Sequence, residues 1–386
     1  MTEAEKAEKI KSLKQKYNKE TDAQKAKKEE LKQKYNSNWP ISIREKGLTI
    51  EEIQERKSDI VEYYRLGLTN EFMKDTEDIF YEIWFGDIPS VVNPLIWYNT
   101  GTICSGKTVF GEQWEGKEQL FGGVKFGKCN KDEIKAVFPL RDEIMTLYPA
   151  LVSEITDHIL SVRSRINSRA IKDKKNICSE QSLKSDFSKN AEEAKAAGYT
   201  VAITNLCVSD FLIYARELFR FAKASVKDLA YKTHDARQEP KENLDETIKR
   251  AKTNLAVAVQ HTDKLYIFDS RYSLIGEIDR AKKGTKSFIE IMEEQESKSI
   301  TGVDLYEIVS RTIWVQDMIK NNEIRGDKAD FKKLFREVKK RIKSAKGETI
   351  LDKKRDTERL IRICSEIISG DSHDIQELRE IYQGGR

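Results

Sequence analysis

The chain has 386 residues, 35% of them charged and 38% hydrophobic, and its 69 basic against 65 acidic residues leave a net charge of +4. That length accommodates two or three compact domains, the near-neutral total leaves partner choice to local stripes of charge, and no apolar run approaches the ~18 residues needed to span a bilayer. Five scattered cysteines (Cys104, Cys129, Cys178, Cys207 and Cys364) without CxxC spacing, and four isolated histidines (His158, His234, His261 and His373), argue against a disulfide framework and a zinc site. Charge from Glu3 onward reads against a secretory leader, so a cytoplasmic location is expected.

Residues 1–39 form a polar N-terminal segment in which "LKQKYN" occurs twice, at Leu13–Asn18 and Leu31–Asn36. The offset of eighteen residues is a whole number of turns at ~3.6 residues each, so in one continuous helix both copies face the same way. Asn18 is suited to stop a helix and Thr21 or Asp22 to start one, so a helical hairpin is the alternative. Neither form buries enough surface alone, which points to a coiled-coil arm that packs on another subunit. After Trp39-Pro40, a capping box (Thr49 with Glu52) opens a helix that Gly67 ends. A second helix runs from Asn70 to about Phe85 on a Phe72, Ile79, Phe80, Ile83 and Trp84 stripe.

"GTICSGKT", Gly101 to Thr108, satisfies the phosphate-loop spacing Gly-x4-Gly-Lys-Thr. In such a loop the backbone amides cradle phosphates, the next helix points its N-terminus at them, and the lysine neutralises charge. "LIWY" is a candidate preceding strand, and "LYIFD", ending at Asp269, a candidate strand whose aspartate assists magnesium. The helix is the missing part. Glycines at 111, 116, 122 and 123 each weaken a helix by ~1 kcal/mol relative to alanine. The stretch 101–127 therefore reads as a β-hairpin or loop anchored by Phe110, Trp114, Phe121 and Phe126.

Three further segments set basic residues beside an apolar stripe at helical spacing. Arg163, Arg165, Arg169 and Lys172 accompany Ile155, Ile159, Val162 and Ile166. Arg216, Arg220, Lys223 and Lys227 accompany Phe219, Ala222, Val226 and Leu229, with Tyr214 among the basic residues as a stacking candidate. Lys332, Arg336, Lys339 and Lys340 accompany Phe331, Leu334, Phe335, Val338 and Ile342. Like charges at i,i+4 repel, and a polyanion offsets that repulsion while releasing counterions. Two amphipathic helices close the chain, on Ile361, Cys364 and Ile368 and on Ile375, Leu378 and Ile381.

In outline, the paired "LKQKYN" copies and the stripes Arg165/Arg169/Lys172 and Arg216/Arg220/Lys223/Lys227 resemble nucleoproteins of segmented negative-strand RNA viruses, the hantavirus type in architecture. The resemblance implies a mainly α, two-lobed body with a glycine-rich hairpin or loop insertion, built as an arm (1–39), an N-lobe (40–235), a C-lobe (248–347) and a helical extension (348–386). It implies single-stranded RNA bound without sequence specificity by the three basic stripes, homo-oligomers joined through both arms, a polymerase as a candidate further partner, and a place in a virion. On this reading the protein is not an enzyme and takes no cofactor. The alternatives are a phosphate-loop NTPase using Gly101, Gly106, Lys107, Thr108 and Asp269, and a coiled-coil scaffold.

Overall fold

The structure is a computed structural model describing residues 1–43, 45–114, 118–148, 151–182, 187–231, 241–279, 290–291, 300, 302–320 and 328–344. In chain order the helices α1 (Glu3–Tyr17), α2 (Asp22–Lys34), α3 (Ile50–Arg65) and α4 (Asn70–Phe85) come first. Then follow β1 (Leu95–Gly101), α5 (Lys107–Trp114), α6 (Glu118–Phe121), β2 (Gly127–Lys128), α7 (Lys131–Ala136), α8 (Arg141–Leu147), α9 (Val152–Thr156) and α10 (Leu160–Lys172). The rest comprises β3 (Ile177–Gln181), α11 (Ser188–Ala196), β4 (Thr200–Leu206), α12 (Asp210–Tyr231), α13 (Lys241–Val259), β5 (Lys264–Phe268), β6 (Leu274–Asp279), α14 (Gly302–Lys320) and α15 (Lys328–Ser344).

The chain divides into two compact units. The first joins Met1–Val92 to Lys125–Ile177, and the second joins Asn93–Val124 to the described residues from Cys178 on. In the first unit, capping boxes at Thr2/Glu5, Thr21/Gln24 and Thr49/Glu52 start α1, α2 and α3. The segment expected as an intersubunit arm is thus a pair of helices. Leu13 and Leu31 are buried, with α1 packed on α4 and α2 on α3 of the same unit. Trp39 sits against Tyr63, with ring centroids 4.5 Å apart, closing an aromatic cluster with Tyr64 and Tyr148.

The sheet has six strands in the order β2–β3–β1–β4–β5–β6. β1 pairs parallel with β4 from Leu95↔Thr200 to Gly101↔Leu206, and β4 pairs parallel with β5 from Ala202↔Lys264 to Leu206↔Phe268. β6 runs antiparallel to β5. β1, β4 and β5 are buried along nearly their whole lengths, as expected of strands covered on both faces. Polar side chains inside them satisfy one another. Trp97 Nε1 donates to Thr204 Oγ1 at 2.9 Å, and Thr100 Oγ1 donates to the Thr204 carbonyl at 2.9 Å. A helical core cluster covers α12, α14 and α15, where Leu212, Leu218, Ala222, Ile308, Val315, Leu334 and Val338 are buried.

The fold is therefore α/β, and the expectation of a mainly helical two-lobed body is corrected. A strand buried on both faces lacks the alternation that marks a half-exposed one, so "TVAITNL" gives no period of two to read. The hairpin reading of 101–127 is corrected as well: α5 begins at Lys107 and contains Gly111. A Cβ on Gly111 would stand 3.1 Å from Asn99 Nδ2, so the glycine lets the helix approach β1 closely. Phe110 is fully buried against Phe268, centroids 4.6 Å apart, and that packing outweighs the propensity penalty. The C-terminal extension 348–386 and His234 lie outside the described residues, as does the side chain of Lys227.

Candidate functional site: a phosphate loop and the basic cavity beside it

β1 delivers Gly101 to the carboxyl end of a parallel strand, level with Leu206 of β4, which is level with Phe268 of β5. Ligands of open α/β sheets bind at this edge. Between β1 and α5 the backbone turns through positive φ at Gly101 (154°), Cys104 (60°) and Gly106 (96°). A Cβ on Gly101 would lie 2.5 Å from Ser105 Oγ, and one on Gly106 would lie 2.6 Å from the Tyr272 hydroxyl oxygen. Both positions thus require glycine on grounds of space as well as backbone angle.

Asn99, buried on β1, anchors the start of the helix: its Nδ2 donates to the Lys107 carbonyl at 2.8 Å. Lys107 Nζ donates back into the loop, to the carbonyls of Gly101 (3.2 Å) and Thr102 (2.7 Å). Thr108 Oγ1 donates to Glu180 Oε2 at 3.2 Å, which brings a carboxylate from β3 to the hydroxyl end of the motif. The hydroxyls of Thr102 and Ser105 are buried and have no hydrogen-bond partner among the described residues. First-turn amides of a helix have no intrahelical acceptor, and its N-terminus is electropositive. Strand, loop and helix together can hold an oligophosphate.

Beside this loop lies a cavity of about 510 Å³ lined by Cys104, Gly106, Arg216, Arg220, Lys223, Tyr272 and Arg311, among others. The basic stripe of α12 read from the sequence therefore stands at the phosphate loop. Its members differ in state. Arg216 is buried and bidentate to Glu307, with Nε to Oε1 at 2.7 Å and Nη2 to Oε2 at 3.1 Å. Arg220 is half-exposed and pairs with Glu217 at 2.5 Å. Glu217 is fully buried and accepts from Cys104 Sγ at 3.1 Å. Burial, and then the charge of Glu217, push the Cys104 thiol up to about 12, so it is protonated at neutral pH. Tyr214 is buried in the helical core with its hydroxyl on Asp245, not displayed for stacking.

The remaining sequence candidates fall elsewhere. Asp269 directly follows β5, but its Oδ1 accepts from the amides of Arg271 and Ser273, both at 2.9 Å, capping a tight turn. Arg165 pairs with Glu77 at 2.7 Å, and Arg169 with Asp78 at 2.9 Å while lying over the Tyr81 ring; both acids come from α4 of the same unit. Arg163 and Lys172 lie on the same helix, α10. Lys332, Arg336, Lys339 and Lys340 are exposed on α15. Sequence reasoning missed Glu180, Glu217, Tyr272, Glu307 and Arg311. Their relation to the loop arises from contacts up to 166 residues apart in the chain, as for Tyr272 with Gly106, and no local spacing encodes it. Among the described residues, no group of His, Cys, Asp and Glu is arranged to hold a metal ion by itself, no cysteine forms a disulfide, and no helix is long and apolar enough to cross a membrane.

The sequence profile of the Zeta toxin family matches residues 94–287, half of the chain, spanning β1, the loop, the α12 stripe and β5. No curated protein sequence matches. Among solved structures, one from the PezAT chromosomal toxin–antitoxin system of Streptococcus pneumoniae is similar with TM-score 0.51 and 15% identity, over 70% of this chain and 97% of that chain. The AvrRxo1-ORF1:ORF2 complex is similar with TM-score 0.41 and 12% identity, over 80% of this chain and 92% of that one. The same complex with ATP gives TM-score 0.41 and 10% identity, over 86% and 96%. The family match overturns the nucleoprotein resemblance and, with it, the RNA-coating function. It also overturns the expectation of a non-enzyme, because the family's members are phosphate-loop kinases. With half its length under that profile and a strand–loop–helix at the matching place, the chain belongs to the Zeta toxin family.

Proposed function

We propose that this protein is a nucleoside-triphosphate-dependent kinase that phosphorylates a hydroxyl of an anionic acceptor, a nucleotide sugar of the UDP-N-acetylglucosamine class on which the family acts. The observation that carries the reading is α5 opening at Lys107 directly after a parallel strand and two glycines of positive φ. The residues fit the nucleotide. Thr102 and Ser105 hydroxyls lie buried without partners, side chains at 101 and 106 are excluded, and Thr108 with Glu180 offers the hard oxygen ligands that magnesium prefers. When bound, the magnesium nucleotide supplies the phosphoryl group and part of its charge compensation.

The chain's own residues do the rest. Loop amides and the α5 N-terminus bind phosphate oxygens. Lys107 turns from its loop carbonyls to the terminal phosphates, and the Thr108 hydroxyl with Glu180 orients the metal side. Glu180 takes the place given to Asp269 in the sequence reading, since Asp269 spends Oδ1 on two turn amides. Arg220 and Lys223 attract the acceptor's phosphates in the cavity beside the loop. We further infer a protein partner that restrains the activity, as the pairing of toxin and antitoxin in the similar pneumococcal system suggests. The test is Lys107→Ala. Nucleotide affinity and phosphoryl transfer from labelled ATP to UDP-N-acetylglucosamine should both fall by a hundredfold or more, on the order of 2.7 kcal/mol. A variant that binds ATP as tightly as the parent would sink the reading.

A further inference from the structure

Three consecutive carbonyls of the phosphate loop are held from one side. Arg216 Nη1 donates to the carbonyl of Ser105 at 2.9 Å and of Cys104 at 3.4 Å, and the Tyr272 hydroxyl donates to that of Gly106 at 3.3 Å. In a trans peptide the C=O and the following N–H point in opposite directions. Pulling these three oxygens toward Arg216 and Tyr272 therefore turns the following N–H groups the other way: that of Ser105 donates to the Thr102 carbonyl at 3.3 Å, and those of Gly106 and Lys107 face away from the two tethers, the Gly106 oxygen also accepting from the Phe110 amide at 3.0 Å. Gly106 is what lets both tethers come so close: a Cβ there would meet the Tyr272 hydroxyl at 2.6 Å and Arg216 Nη1 at 3.5 Å.

Arg216 is itself fixed. Its Nε and Nη2 are occupied by the two oxygens of Glu307, which is fully buried on α14 and is also bonded by Arg311 Nε at 3.0 Å. Arg311 in turn lies over the Phe219 ring, 4.4 Å from its centroid, on α12. A guanidinium clamped bidentate in a dry site holds its remaining N–H groups in one direction. α14 begins at Gly302, beyond residue 287 where the family match ends, so this brace is supplied by the part of the chain outside it.

We propose that Glu307 is a positioning residue that, through Arg216 and alongside Tyr272, sets the aim of the phosphate-binding amides of the loop. The inference rests on the nucleotide reading for its consequence but not for its geometry. The stripe residue Arg216 is on this account a strut of the loop, while Arg220, paired with Glu217, and Lys223 are the stripe's other cations on the cavity wall.

The experiment uses the full chain and two readouts: amide hydrogen exchange of the peptide spanning residues 101–110 without nucleotide, and the Kd for magnesium ATP. Glu307→Gln keeps shape and removes the charge. It should speed exchange of the loop amides about tenfold and weaken ATP about tenfold, raising KM more than it lowers kcat. Tyr272→Phe should give a three- to fivefold effect in the same direction, and Glu307→Asp, which keeps the charge, should recover part of the loss. Arg216→Lys combined with Glu307→Gln should be no worse than Arg216→Lys alone. A folded Glu307→Gln with parental loop exchange and parental ATP affinity overturns the proposal. If Glu307→Gln does not fold, Tyr272→Phe decides alone, and unchanged loop exchange there overturns it equally. A parent that binds no ATP refutes the nucleotide reading instead, while the exchange arm still judges the brace.

Discussion

At the scale of single residues, the loop holds a thiol where phosphates are expected, and its state follows from its neighbours. Cys104 is half-buried with Sγ on the buried Glu217 carboxylate, and the thiol is pushed up to about 12 by burial first and by that charge second. A raised acid favours the folded state fully below the unfolded thiol value of ~8.5, and that contribution disappears only as pH climbs toward 12. Between pH 7 and 9 the thiolate is therefore rare. A lower thiolate population is partly offset by greater intrinsic nucleophilicity, with a Brønsted slope of about 0.4–0.5, which leaves a net slowing of roughly forty- to a hundredfold. Alkylation of Cys104 by iodoacetamide at pH 8, followed by peptide mass spectrometry, should be slower than that of a free cysteine by that order. A rate like that of an ordinary surface thiol would show that the Glu217 contact does not persist in solution. The sequence displays Cys104 inside a phosphate-loop pattern. It displays neither the burial that chiefly raises the thiol nor Glu217, 113 residues away, which adds to it.

At the scale of elements, α5 shows how far local propensity carries and where it stops. "LIWY" and "LYIFD" are legible as strands because apolar, β-branched and aromatic residues cluster there, and β1 and β5 form. The helix start at Thr21 or Asp22, the capping box at Thr49 and the start of α4 at Asn70 are legible because caps are local chemistry. α5 was not, because four glycines within the following stretch argue for a turn, and their spatial reason is a strand that the sequence does not place beside them. Gly111 makes this testable. In an isolated helix, Gly→Ala adds ~1 kcal/mol of stability. Here the new methyl would stand 3.1 Å from Asn99 Nδ2, and Asn99 cannot yield: it donates to the Lys107 carbonyl at 2.8 Å and accepts from Thr204 Oγ1 at 3.2 Å in a fully buried setting. Overpacking of this kind costs about 1–3 kcal/mol, which exceeds the helical gain. Gly111→Ala should lower stability by about 1 kcal/mol in urea titration and weaken ATP by displacing the start of α5. A stabilised variant would mean that helix and strand separate more easily than their contacts indicate. The basic stripes teach the converse lesson. Periodicity reveals that Arg165, Arg169 and Arg216 share faces with other cations, but their carboxylate partners Glu77, Asp78 and Glu307 lie 88 to 91 residues distant in the chain.

At the scale of the whole molecule, two units with separate cores divide stability from chemistry. The first unit owes its core to helices that begin at residue 3, and Leu31 on α2 is fully buried where the sequence suggested an outward arm. The stripe that looked available for another subunit is consumed inside its own unit, because two short polar helices become stable only when their few apolar residues find a wall. The phosphate loop, the Arg216–Glu307 brace and the cavity all belong to the second unit. Mutations in the two places should therefore separate. Leu31→Ala should cost about 2–5 kcal/mol, the usual range for truncating a buried leucine, and leave ATP affinity within twofold of the parent. Lys107→Ala should leave the unliganded stability nearly unchanged but abolish ligand stabilisation, which at a hundredfold excess over Kd amounts to about 2.7 kcal/mol. Thermal melts of parent and both variants, each with and without magnesium ATP, measure all four quantities at once. If Leu31→Ala weakened ATP by more than threefold while still folded at the assay temperature, the two cores would be energetically coupled. The N-terminal helices would then have to be counted with the phosphate-loop unit rather than as the wall of a separate unit.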